Sequence, residues 1–230
     1  MTLQKKDFIE VEFTGKIKDG EVFDSNIKQD LEKLNPNANP KPLIFCLGEG
    51  MFLKGIDDFL VGKEIGEYTI ELSPEKAFGP RVKEFVQMVP IKIFKESKLN
   101  PFPGAVFNFD GRIAKVLSVS SGRVMVDFNG PLAGKTVIYE VNVLRKVDDL
   151  NEKIKSFINF LFRREMEFSV QDKKITIKVE KELSKFVEMF KDKFKEVLGL
   201  DLEIKQKEES LANLSESPIK EIENTPEEKQ

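Results

Sequence analysis

The hydrophobic pattern changes period several times along the chain. "DFIEVEF" (7–13) alternates apolar and polar residues, which predicts a strand with one buried face. "TGKIKDGE" follows as a turn-bearing hairpin signal with Asp19-Gly20 at the turn. Residues 27–42, "IKQDLEKLNPNANPKP", are polar with three prolines and read as a surface excursion. "LIFCLG" is a short apolar strand. "MFLKGIDDFLVG" carries apolar residues at 52, 53, 56, 59 and 60, the spacing of one short amphipathic helix. "EIGEYTIELS" alternates again, and "PEKAFGP" is a breaker-rich loop.

Between Glu84 and Phe128 the pattern becomes a series of short strand-like runs, "FVQMV", "AVFNF", "RIAKVLSV" and "RVMVDF", separated by "NPFPG" and "SSG". These predict a small all-β module. "VIYEVNVLRKV" then returns to a strand over Val137–Val147. Asp149-Leu-Asn-Glu152 has the form of a capping box, opening a helix with Ile154, Phe157, Ile158, Leu161 and Phe162 in one stripe. Two strands around a polar turn follow in "EFSVQDKKITIKVE". Residues 181–198 predict one helix with Leu183, Phe186, Val187, Phe190, Phe194 and Val197 on a face, stopped at Gly199, and "LDLEIKQ" is a last strand. The succession gives an α+β fold class, with a C-terminal α+β domain over 148–206. The Ser/Glu/Lys/Pro-rich 207–230 are expected to be a disordered tail.

Composition narrows the chemistry. Of the 230 residues, 40% are apolar and 33% charged, with a net charge of −3, so no global charge points to nucleic acid or a membrane surface. Over 84–128 there are six Lys/Arg against four Asp/Glu, too small a surplus to steer nucleic acid. No apolar run reaches the length of a membrane span and no secretion signal is seen, so a cytoplasmic location is expected. There is no His and a single Cys, Cys46, in an apolar strand. Soft-metal sites lack ligands and nucleophilic catalysis lacks a base. Asp57, Asp58 and Glu75 are hard-cation ligands only with partners the sequence does not identify. No metal and no cofactor are expected. The 20 Phe, against 2 Tyr and no Trp, make exposed apolar surface expected beside an ordinary core. What remains is chemistry without proton transfer or a covalent intermediate.

The stretches "VEFTGKIKDGEVFDSN", "PLIFCLGEGMFLKGIDDFLVG", "IELSPEKAFGP" and "VIYEVNVL" occur in an order and spacing that resemble FKBP-type peptidyl-prolyl cis–trans isomerases, over residues 7–83 and 129–147. The interruption after "AFGP", rejoined at "NGPLAGKTV", resembles the insert-in-flap module of SlyD-like and long archaeal members, and "EFVQMVPIKIF" resembles its start. The resemblance implies a half β-barrel wrapped on a short helix, with 84–128 as an inserted chaperone domain. By motif it implies catalytic roles for Phe23, Asp24, Phe78 and Tyr139. It implies substrate-binding roles for Phe13, Leu43, Phe45, Phe52, Leu53 and Ile56, with Ile56 at the cleft floor.

Three positions depart from the best-known small members. Ile56 stands where Trp is usual, and Phe13 and Phe78 stand where Tyr is common. A chaperone surface is expected from Phe85, Val86, Met88, Val89, Ile91, Phe94, Phe102, Phe107 and Phe109, about half of them serving the module's own core. The expected partners are unfolded or partly folded chains with X-Pro bonds, and a second copy of the chain bound through the C-terminal domain, the alternative there being client binding. Nucleic acid and membranes are not expected partners. A non-catalytic holdase or adaptor on the same scaffold is the competing reading.

Overall fold

The computed structural model describes residues 2–109 and 111–206, and the expected tail 207–230 lies outside them. The described chain divides into two units, 1–165 and from Met166 onward.

In the first unit β1 (Phe8–Ile17) is the hub of a five-stranded antiparallel sheet. One edge of β1 is shared: β3 (Leu43–Cys46) pairs with Phe8–Val11 and β2 (Val22–Ser25) with Thr14–Lys16. The other edge pairs with β9 (Val137–Lys146), which pairs in turn with β4 (Gly66–Leu72). The period-two pattern of β9 puts Val137, Tyr139, Val141 and Val143 on the buried face. That face meets Ile56 and Leu60 of α2 (Lys54–Leu60) in one core. Gly55 makes the approach possible, because a Cβ there would lie 2.6 Å from the Leu72 side chain and 2.7 Å from the Lys76 carbonyl. The excursion 27–42 contains α1 (Lys28–Leu34), which buries no residue, in keeping with its polar sequence.

Between β4 and β9 in sequence lies a separate four-stranded sheet in the order β5-β8-β7-β6, formed by β5 (Val86–Pro90), β6 (Val106–Phe109), β7 (Arg112–Ser120) and β8 (Arg123–Asp127). The expected all-β composition needs a correction. "IKIFKE" is a helix, α3 (Ile91–Glu96), started at Pro90. Its apolar–polar alternation mimics a strand. Helical geometry instead turns Phe94 fully into the module's core, 5.6 Å and 5.4 Å ring to ring from Phe107 and Phe109.

α4 (Leu150–Phe162) begins as expected, the Asp149 carboxylate accepting from the Glu152 N–H at 2.8 Å. It was expected to open the C-terminal domain at 148. Its buried Ile154, Phe157 and Ile158 stripe instead accompanies packing against β3, and the units divide at Glu165/Met166. Arg145 of β9 ties α4 down by pairing with both Glu10 and Glu152.

The second unit is a three-stranded sheet in the order β10-β11-β12, formed by β10 (Phe168–Gln171), β11 (Lys174–Val179) and β12 (Asp201–Gln206). The β10–β11 turn places Asp172 and Lys173 at positive φ, the twist-matched hairpin geometry. β11 and β12 are parallel, which requires the helical crossover between them. That crossover is two helices, α5 (Lys181–Glu188) and α6 (Lys191–Leu198), not the single one expected. The ladder breaks where the Met189 and Phe190 N–H groups bond to carbonyls three residues back. The break leaves Phe186 exposed while Val187, Phe194 and Val197 are buried.

Candidate active site

"DGEVFDSN" is held by its last two residues. β3 stops pairing with β1 at Val11 and β2 begins at Thr14, leaving a gap in the shared edge. The Asn26 side chain fills it: its Oδ1 accepts from the Phe13 N–H at 2.7 Å and its Nδ2 donates to the Val11 carbonyl at 2.9 Å. One amide side chain thus replaces a strand's backbone. Ser25 Oγ donates to the Phe13 carbonyl at 3.0 Å and shares a 2.9 Å bond with Thr14 Oγ1. Phe23 and Asp24, just before them, are thereby placed against β1.

Across the sheet, Gly15 is the partner of Asp24 on one side and of Tyr139 on the other. Directly paired residues project on one face, so an ordinary side chain at 15 would stand between the carboxylate and the phenol. Glycine leaves that space to the Tyr139 ring: a Cβ at 15 would lie 2.9 Å from its Cε1 and Cζ and 3.1 Å from Phe23 Cζ.

The aromatic groups interlock around Tyr139. Its ring is 5.6 Å from Phe52, 5.8 Å from Phe23 and 6.0 Å from Phe13. Phe52 packs on Phe13 at 4.8 Å and on Phe45 at 5.4 Å, and Phe78 meets Phe23 edge-on at 5.6 Å. Phe13, Phe45, Ile56 and Tyr139 are buried, and Phe23, Leu43, Phe52 and Leu53 are half-buried against them. Phe78 is 38% exposed at the rim. Eight of the ten residues expected of the site belong to this core or pack against it, Phe78 joins through Phe23, and Asp24 lies across Gly15 from Tyr139.

Electrostatics separates the two polar members. Burial, and then the Asp24 charge, push the Tyr139 hydroxyl well above its usual range, so it stays a neutral donor. Asp24 is exposed to water, yet lost hydration against the neighbouring rings raises its carboxyl, with the Ser25 N–H pulling the other way. Behind the site, burial pushes the Cys46 thiol up to about 12, so it is an inert core group. The turn after β3 folds back on it, the Cys46 N–H donating to Met51 Sδ at 3.3 Å.

Sequence reasoning missed Gly15 and Asn26, and it gave Asp57 no role. Asp57 is only 3% exposed, in α2. Its Oδ2 accepts from the Gly50 N–H at 3.3 Å, and its Oδ1 has no hydrogen-bond partner. Burial raises its carboxyl to about 6, against the stabilising N–H groups of Gly50 and Gly48. It is a staple for the 48–53 turn that carries Phe52 and Leu53. Among the described residues no three His, Cys, Asp or Glu side chains converge as a metal set.

In the four-stranded module, Phe94 belongs to the core and not to the expected chaperone surface. Val89, Ile91, Phe107 and Phe109 are half-buried against that core, and Val86 is also half-buried. Phe85, Met88 and Phe102 are exposed, Phe102 at 59%. Val106, Ile113, Leu117 and Met125 are further exposed apolar residues there, which the sequence reading did not single out.

Residues 87–132 match the family described as "FKBP26, IF domain". The chain is 30% identical to the short-type peptidyl-prolyl cis-trans isomerase of Methanocaldococcus jannaschii over 146 residues, 61% of this chain and 92% of that protein. It is 30% identical to the FKBP-type 16 kDa peptidyl-prolyl cis-trans isomerase of Escherichia coli over 149 residues, 62% of this chain and 93% of that protein. It is 32% identical to the FKBP-type isomerase SlyD of Helicobacter pylori over 116 residues, 48% of this chain and 62% of that protein. With near-complete coverage of two such relatives, and with the motif residues meeting around Tyr139, the chain belongs to the FKBP-type peptidyl-prolyl cis–trans isomerases, of the SlyD-like kind.

Proposed function

We propose that this chain isomerises X-Pro bonds of folding proteins at the Tyr139-centred aromatic site and holds their unfolded segments on the four-stranded module. The observation that carries the first part is the convergence of buried and half-buried rings beside one exposed carboxylate. The barrier is rotation about the partial double bond of the amide, about 18–20 kcal/mol. Planarity is stabilised by charge separation between amide nitrogen and oxygen, which dry apolar walls disfavour and a twisted amide gives up. The site therefore favours the twisted state over the planar one, and each 1.36 kcal/mol of that preference is worth about tenfold in rate.

In this reading Phe13, Phe45, Phe52 and Ile56 seat the proline ring, and Leu43 and Leu53 close the sides. The neutral Tyr139 hydroxyl donates to a substrate carbonyl, and Phe23 and Phe78 flank it. Asp24 acts electrostatically at the amide and moves no proton. The sheet and α2 correspond to the family's half β-barrel wrapped on its short helix, and residues 84–128 to its insert-in-flap domain.

The client-holding reading is supported by the exposed Phe85, Met88 and Phe102 and by a 420 Å³ groove lined by Met88, Ser118, Ser120, Ser121, Arg123 and Met125. Methionines on an open sheet face suit varied apolar partners. A protease-coupled assay on a proline tetrapeptide, beside proline-limited refolding of a protein, tests both parts. Deleting 84–128 is expected to leave tetrapeptide turnover largely intact and to slow refolding catalysis. Equal loss on both substrates sinks the division of labour. Absence of tetrapeptide turnover in the full chain favours a non-catalytic holdase.

For the second unit the proposal is self-association, with client binding as the competing use. Phe186 is exposed and Met189 is 78% exposed beside it. Sedimentation of the full chain is expected to give a dimer and residues 1–165 a monomer. Monomers for both rule this out. Among the described residues no helix is long and apolar enough to cross a membrane, and a cytoplasmic working place fits the reading.

A further inference from the structure

The chain crosses twice between the five-stranded sheet and the four-stranded module, outward at 79–85 and back at 127–134. The two crossings are bonded to each other at every level. Nearest the aromatic site, the Gly134 N–H donates to the Gly79 carbonyl at 2.8 Å, one residue from Phe78. Next, Arg81 donates to Asp127 Oδ2 from Nε at 3.0 Å and from Nη2 at 2.6 Å. The other carboxylate oxygen of Asp127 accepts from the Asn129 N–H at 2.9 Å and from Asn129 Nδ2 at 2.7 Å. Asn129 then clips the opposite crossing as a strand would: its Oδ1 accepts from the Val82 N–H at 2.8 Å and its Nδ2 donates to the Val82 carbonyl at 2.9 Å. Nearest the module, the Phe128 N–H donates to the Phe85 carbonyl at 2.9 Å, and Arg112 lies over both the Phe128 and Phe85 rings.

A pair of flexible linkers needs none of this. The Asp127 side chain is 13% exposed, and its Oδ2 takes both Arg81 donors while its Oδ1 takes both Asn129 donors, so neither oxygen is left to water alone. Every polar atom of Asn129's amide is used. The contacts run without a gap from the residue after Phe78 to the base of the sheet that carries Met88 and Met125.

We propose that Arg81, Asp127 and Asn129 are positioning residues that clamp the two crossings, so that the five-stranded sheet and the four-stranded module move as one body. Resting on the client-holding reading above, the clamp presents a held chain to the aromatic site along one fixed approach. Backbone nitrogen-15 relaxation of the full chain tests the clamp directly. In the wild type the amides of β7 and β8 are expected to report the same rotational correlation time as those of β1 and β9. In Arg81→Ala/Asn129→Ala they are expected to report a shorter one, with tetrapeptide turnover unchanged as proof of an intact isomerase half. Arg81→Lys, which keeps the charge and loses the paired Nε and Nη2 donors, is expected to fall between. Independent tumbling in the wild type, or a double variant that still tumbles as one body, overturns the proposal. In the same double variant, catalysis of protein refolding is expected to fall, by up to about a hundredfold, the scale of a substrate misplaced by about 1 Å. Separated tumbling with undiminished refolding leaves the clamp standing and removes the client-holding reading instead.

Discussion

Gly15→Ala is expected to lower tetrapeptide kcat/KM by about tenfold or more and to destabilise the fold by about 1–3 kcal/mol. The methyl group would stand 2.9 Å from two atoms of the Tyr139 ring. That ring is 1% exposed and is flanked by Phe13, Phe23 and Phe52, so it has no free direction in which to swing. Relief must come from shifting the rings that form the site walls or from parting β1 and β9. Either change moves the phenol away from Asp24. Urea unfolding and the protease-coupled assay measure the two effects separately. Wild-type values for both would show that the Asp24–Gly15–Tyr139 row does not set the geometry of the site.

Asp57→Asn is expected to reverse the usual sign of a core substitution at neutral pH. In the folded chain the Asp57 carboxyl titrates near 6, above its ordinary value of 3.8. A group whose folded value is raised contributes its stability below the unfolded value, and that stability is lost as pH rises through the folded one. Ionised Asp57 therefore costs the folded state, by up to about 3 kcal/mol. The charges facing it worsen this: Glu49 on the turn it staples and Asp58 beside it in α2 both oppose ionisation. The Cys46 thiol on β3 is neutral. The stability advantage of Asp57→Asn over wild type should grow between about pH 4 and 6 and stay level above. Thermal unfolding across that range reads it. Parallel curves for the two proteins would show that Asp57 is not buried as a charge. Whatever the amide costs by its own packing offsets both ends equally, so the slope is the decisive quantity.

Strands announced themselves where one face is buried and the other wet, as in β1, β4 and β9, because alternation is a local property. The aromatic members of the site were legible for a different reason: their motifs resemble those of the family in order and spacing. What stayed hidden depends on which segment lies beside which. Asn26 is only the last residue of a motif until the shared edge of β1 is known to have a gap. Gly15 reads as part of a hairpin until Asp24 and Tyr139 are seen on either side. Asp57 and Asp58 are identical neighbours in the sequence, and only the packing of α2 shows that one is buried and the other exposed. The α4 stripe was plain, but a stripe does not name the surface that covers it, and β3 does. α3 failed because "IKIF" satisfies both periods over so short a run. The break at Met189–Phe190 failed because the apolar spacing runs through it unbroken.

Cys46 gives the site wall a clock. It is the chain's single thiol, it lies in β3 beside Phe45, and its high pKa leaves almost no thiolate to react. A thiol reagent reaches it only in molecules whose β3 has come away from β1, so the labelling rate counts openings of this wall. A proline peptide that binds the closed site would slow that clock in proportion to occupancy. Substrate affinity thus becomes readable without following the isomerisation.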